Sequence, residues 1–247
     1  MATPAELVRA YGSEYDQIRR ELKRLTSDVW RDVGGPGDDN LTAWLRLILP
    51  IMSGAEVNIG QLVAAYLDEL STEWGITITP IVLPEQVTGA ALRNGTPPEE
   101  VYSRPIIEVR RELRRRRRID RAREAARQRA LVLADTDAAL AHRFAAASAF
   151  ETLGFTQYRR VPTGRSCDLC RTAAEQFYNV AQLLPIHPHC DCRVLPVHSE
   201  VRVPQRDLPK SPAPSAPADP VVREHGELGP VLVDRSHAFT GPGDLDQ

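Results

Sequence analysis

The chain has 247 residues, 26% charged and 42% apolar, with a formal net charge of −2. That balance suits globular folding and by itself selects neither a nucleic acid nor a membrane as partner. Glu6 and Arg9 interrupt the first ten residues, so no secretory signal is expected. The apolar stretch Leu45 to Met52 is short and broken by Arg46 and Pro50, which argues against a membrane span. The expectation is a protein made in a cytosol, or packed into something assembled there, where thiols stay reduced.

In chain order, residues 4–32 predict a helix. Leu7, Tyr11, Ile18, Leu22, Leu25 and Val29 recur at steps of three and four, Pro4 suits the start, and Gly34-Gly35-Pro36-Gly37 stops it. Residues 41–49 and 55–74 predict two more helices, the second with a stripe of Val57, Leu62, Ala65, Tyr66, Leu70 and Trp74. Gly75 to Pro80 is β-branched and reads as extended; residues 84–98 are mixed, with turn signals at Asn94-Gly95 and Pro97-Pro98.

Residues 98–134 read as one very basic helix. Between Arg104 and Arg129 stand twelve arginines against four acids. Arg114 to Arg118 are consecutive, which on a helix covers every face and keeps this turn out of an apolar core. An Ala-rich helix over 136–153 follows, with Leu140, Phe144, Ala147 and Phe150 on one stripe and Gly154 at its end. Phe155 to Val161 and Cys192 to Val197 read as strands bracketing a cysteine cluster, in the manner of a β-hairpin clamp. Eight of the 20 prolines lie after residue 200, so 199–247 is expected to be an extended, disordered tail. The fold class is mainly α, with a small α+β module at 154–198 behind a helical region 1–93 and a basic plus Ala-rich helical region 94–153.

All four cysteines fall between Cys167 and Cys192. Cys167-Asp168-Leu169-Cys170 sets two sulfurs on one side of a tight turn, the usual half of a tetrahedral zinc site. His187-Pro188-His189-Cys190-Asp191-Cys192 offers the other half. Six donors exceed the four that zinc takes, so some stand outside the first shell; the metal candidates are Cys167, Cys170, His187, Cys190 and Cys192. Competing readings are ordinary small buried residues, a redox dithiol at Cys167 and Cys170, and a disulfide pair. A closed four-donor site is structural, because a catalytic zinc keeps an open position.

At these residues the chain resembles the Mu protein F-like minor capsid, or head morphogenesis, proteins of tailed phages. Their C-terminal signature is an arginine-containing strand, Cys-x-x-Cys, an aromatic and a His-x-x-Cys-x-Cys ending. Here it reads Tyr158-Arg159-Arg160-Val161, Cys167 to Cys170, Tyr178, and Leu184 to Cys192, closed by Val194-Leu195-Pro196. Asn94-Gly95, Tyr102-Ser103-Arg104-Pro105 and Leu133-Ala134-Asp135-Thr136-Asp137 resemble the form seen in phages of actinobacteria. The likeness covers roughly residues 90–197. It places His187 at the family's histidine position and His189 where the family varies. Val180-Ala181-Gln182 departs from the more polar turn of relatives.

The resemblance implies a low-copy, non-enzymatic structural protein of the virion, near the portal vertex, with the portal protein and capsid or scaffold proteins as partners and no membrane. A structural zinc is the implied cofactor. Arg110, Arg111, Arg114, Arg115, Arg116, Arg117, Arg118 and Arg121 are the candidates for non-specific contact with packaged DNA. The alternative for them is an acidic protein surface. Competing functions are a zinc-containing HNH-like nuclease and a zinc DNA-binding regulator; the first lacks a suitably spaced second histidine, the second a recognition helix beside the cluster.

Overall fold

The computed structural model describes residues 3–77, 79–163, 166–180, 192–197 and 219–239. It is mainly helical, with a three-stranded sheet and a two-stranded hairpin.

Helix α1 spans Pro4–Val33. Thr3 caps it: its hydroxyl oxygen accepts from the Glu6 amide, while the Glu6 carboxylate accepts from the Thr3 amide at 2.7 Å. Gly34 ends it where the chain folds back over Trp30; a Cβ there would sit 2.6 Å from the Trp30 ring. The buried face is Val8, Tyr11, Tyr15, Arg19, Leu22, Thr26 and Trp30, so the expected stripe is right at Tyr11 and Leu22 and only half-buried at Leu7, Ile18, Leu25 and Val29.

Helix α2 is one element, Asp38–Glu73, and not two. It runs through Pro50, because Pro50 and Arg46 both lie on the exposed face, where water satisfies the carbonyl that proline leaves without a partner. Joined this way, α2 is long and apolar enough to cross a membrane by length and composition, with mean hydropathy 1.4 over its best window. Its buried face is Trp44, Ile48, Met52, Glu56, Ile59, Val63, Tyr66, Leu67 and Leu70. That face is rotated from the expected one: Ala65 is exposed.

A short helix α3 (Pro84–Val87) and a 3-10 turn (Gly89–Arg93) lead to α4 (Pro98–Arg114). The basic segment is not one helix. α4 stops at Arg114 and α5 runs Ile119–Thr152, so Arg115 to Arg118 form the turn of a helical hairpin. The expected boundary near residue 135 does not exist; α5 passes straight through it. α5 packs against α1, α2 and α4. From Leu133 to Arg143 every residue is buried. A helix buried all round has no single stripe, and its alanines let the neighbouring backbones come close. Phe144 and Ala147, expected on the core stripe, are half-buried.

Beyond α5 come β1 (Gln157–Val161), α6 (Asp168–Ala173), β2 (Phe177–Asn179) and β3 (Arg193–Val197). The sheet order is β2-β1-β3, all antiparallel; β1 and β3 pair from Gln157 opposite Val197 to Val161 opposite Arg193. The two strands expected to bracket the cysteine cluster are therefore direct neighbours. The tail reading is corrected in part. Residues 219–239 contain a hairpin, β4 (Pro220–His225) and β5 (Gly229–Asp234), with Leu228, Val231, Leu232 and Val233 buried. Its short apolar run, Val231 to Val233, is easily overlooked among the surrounding prolines; 199–218 and 240–247 lie outside the described residues.

Candidate functional site

The cysteine module takes shape from local sequence. Cys167 is the N-cap of α6 and is exposed; Cys170, in the first turn, is buried. Cys192, immediately before β3, is buried as well, and both Cys170 and Cys192 belong to the main apolar core. Asp168 and Arg171 pair across one turn of α6 at 3.1 Å. Among the described residues no three His, Cys, Asp or Glu side chains form a metal-binding group. His187, His189 and Cys190, the rest of the expected donor set, lie outside the described residues.

A layer of rings and cations surrounds the described half of the module. Tyr158, fully buried, stacks on Tyr178 at 5.4 Å and leans on Phe150 at 6.2 Å. The Tyr178 hydroxyl donates to the Ala173 carbonyl, which ties β2 to the end of α6. The Arg160 guanidinium lies 5.5 Å from the centre of the Tyr178 ring. Burial pushes the Tyr178 phenol above its usual range, against the pull of Arg160.

Arg193 anchors the module to the helices. Its side chain is 2% exposed and donates to the Gly12 carbonyl at 3.3 Å and to the Asp16 carboxylate. Its guanidinium sits 4.6 Å over the Tyr15 ring. Tyr66 of α2 adds a hydroxyl bond to the Val194 carbonyl at 3.3 Å. Gly12, Tyr15 and Asp16 did not stand out in the sequence, and Tyr66 was read only as part of an apolar stripe, because the partners are more than 120 positions away.

The arginine candidates separate into tied and untied groups. Arg110 is held by the Pro36 carbonyl and Asp38, both at 2.7 Å, and Arg111 by Glu108 at 2.7 Å. Arg115 and Arg117 share Glu112, and Arg118 lies 3.4 Å from Asp120. Arg114, Arg116 and Arg121 make no ion pair among the described residues, and all of Arg114 to Arg118 are exposed. Arg116 has φ 58, the left-handed region. Around it, the Arg117 amide donates to the Glu112 carbonyl at 3.1 Å and the Arg116 amide to the Leu113 carbonyl at 2.9 Å. This is a Schellman ending with arginine where glycine is preferred, at a cost of about 1 kcal/mol.

A third constellation is a buried polar network that joins Tyr102, Arg104 and Asp137, read from the sequence only as part of the resemblance, to Arg93, Glu227 and Glu56, which sequence reasoning missed. Arg93 donates to Asp137 at 2.6 Å, to Glu227 at 3.1 Å and to the Leu133 carbonyl at 3.3 Å. Arg104 also pairs with Glu227, and the Tyr102 hydroxyl donates to Asp137. Beside them lies Glu56, 5% exposed, at a cavity of about 190 Å³. A second buried acid, Asp135, is held by Arg19 at 2.7 Å and Lys23 at 2.9 Å. His142 is 1% exposed and packed against Tyr11 and Tyr15, with ring centres 5.7 and 5.0 Å away, so it lines no open site.

No family model, characterised protein or solved structure matches the chain.

Proposed function

We propose that this protein is a non-enzymatic minor head protein of a tailed phage, of the Mu protein F-like kind. It is a low-copy virion component near the portal vertex, with the portal and the capsid or scaffold proteins as partners. The observation that carries the reading is the antiparallel pairing of β1 with β3 around the cysteine cluster. It joins the two ends of the strand, Cys-x-x-Cys, aromatic and Cys-x-Cys signature into one small module.

The donor set suits a structural zinc. Cys170 and Cys192 bring two soft donors into one apolar core, Cys167 sits a turn from Cys170, and the segment 187–190 supplies the remaining candidates. Zinc at that place would add folding free energy to the module. The exposed arginines of the α4–α5 turn fit non-specific contact with packaged DNA. A nuclease is the weaker reading, because His142 is enclosed by tyrosines rather than facing a cleft.

Two measurements test the proposal. Mass spectrometry of purified virions is expected to find the protein at low copy; its absence from particles overturns the head-protein reading. Elemental analysis is expected to find about one zinc per chain. Replacing Cys167 and Cys170 together by Ser should remove the metal and lower the melting temperature. Metal-free protein with unchanged melting in the double variant overturns the zinc staple.

A further inference from the structure

We propose that Glu56 is a proton-controlled latch for the C-terminal β4–β5 hairpin: while it carries its proton the hairpin stays docked, and when it loses it the hairpin loosens.

The argument starts from the charges that meet at one point. Arg93 from the 3-10 turn faces Asp137 of α5 and Glu227 of the β4–β5 turn. Arg104 of α4 reaches the same Glu227. Two arginines and two carboxylates balance. Glu56 of α2 is a third carboxyl on this cluster, and the cluster is neutral only when Glu56 is protonated. Tyr102 of α4 is neutral and donates to Asp137. Glu99 stands at the cavity mouth on the exposed side of α4, and Glu100 pairs loosely with Arg104 at 3.5 Å.

An ionised carboxylate in this place would need a cation, because an uncompensated buried charge is costly. The cation facing it is Arg93, alongside the Gly89 amide; three of the five Arg93 N–H groups are already committed, to Asp137, Glu227 and the Leu133 carbonyl. An ionised Glu56 would leave the cluster with one negative charge in excess, repelling Asp137 and Glu227 and competing with both for Arg93. Asp137 and Leu133 belong to α5 in the middle of the helical core. Glu227 belongs to a two-stranded hairpin, an element that is marginal without its docking contacts. The hairpin is also the partner that keeps a second cation, Arg104, so it gives way at least cost. Its remaining anchors on this side are the Asn94 side-chain amide on the Gly226 carbonyl at 3.2 Å and the buried Leu228. His225 shapes the turn, accepting from the Glu227 and Leu228 amides, and packs edge-on against Phe239.

The electrostatics agree in direction. Burial, reinforced by the facing Asp137 carboxylate, pushes the Glu56 carboxyl up from the ordinary 4.5 to about 8. Burial also works against the Glu227 charge, but Arg104 and Arg93 together hold its carboxyl below the usual range. Glu56 therefore keeps its proton in the folded chain at neutral pH, whereas the unfolded chain releases it near 4.5. Folded stability consequently falls as pH rises from about 4.5 to about 8 and levels off above that.

The test is amide hydrogen exchange of the full-length protein at pH 6.5 and pH 9, read as protection factors so that the base-catalysed intrinsic rate divides out. In the wild type, protection of residues 221–233 is expected to fall on the order of tenfold between the two pH values, with α1 changing much less. Glu56→Gln, which mimics the protonated acid, should keep the pH 6.5 protection at pH 9. Glu227→Gln should lower hairpin protection at both. Equal wild-type protection at the two pH values, the same fall in Glu56→Gln, a fall spread evenly over α1 and the hairpin, or full protection in Glu227→Gln would each overturn the latch.

Discussion

Arg19, Arg93 and Arg193 are almost wholly enclosed, while Arg114 to Arg118 stand in solvent at the α4–α5 turn. The same side chain does opposite work in the two places. Each buried guanidinium ties elements that are far apart in sequence: α1 to α5, the 3-10 turn to α5 and β4–β5, β3 to α1. The exposed ones are tied to near neighbours or to nothing among the described residues. A planar guanidinium with five donors can satisfy several acceptors at once. Inside, that capacity organises the fold. At the turn it stays in solvent, spent at most on acids a few residues away.

The sharpest way to break this contrast is Arg93→Met. It leaves the buried Asp137 with only the Tyr102 hydroxyl and Glu227 with only Arg104, and urea unfolding is expected to show a loss of about 3–5 kcal/mol. A loss under about 1 kcal/mol would mean that the network is incidental to stability. The opposite sign is expected at the turn. Arg116→Gly relieves the left-handed backbone and should stabilise the protein by about 1 kcal/mol in the same assay. A destabilisation would show that the Arg116 side chain makes contacts beyond those seen here. The smallest effect on stability is expected from replacing Arg114, Arg116 and Arg118 by Gln, which leaves Arg115 and Arg117 on the buried Glu112, within about 0.5 kcal/mol. DNA affinity of that variant should drop and its dependence on salt should flatten, as expected when phosphate contacts are lost. If affinity and salt slope are unchanged, the turn is not a DNA contact.

These two sets also explain what could be read beforehand. The run Arg114 to Arg118 is visible because it is contiguous, and its exposure follows from the impossibility of burying five neighbouring cations. That it forms a turn was hidden, since arginine sits where glycine normally marks a helix end. Arg93 and Arg193 were invisible as anchors, because their partners come from other elements and no local pattern announces them. The same holds for Glu56, a single acid on a helix. The cysteine spacing and flanking strands were legible, being local, and β1 and β3 do pair. Pro50 misled in the other direction. A proline inside a helix costs about 3 kcal/mol; on the wet face water at least bonds the carbonyl it orphans, and only the fold shows which face that is.

The length of α5 has one further consequence. At 1.5 Å per residue its 34 residues span about 50 Å. The arginine turn is at its beginning and the cysteine module follows its end. Points at its two ends are thus kept some five nanometres apart by a single rigid rod, while strand β3 of the module reaches back to α1 beside Ala138. If one end sits in a protein wall and the other touches a polyanion, α5 is the ruler that sets the gap between them.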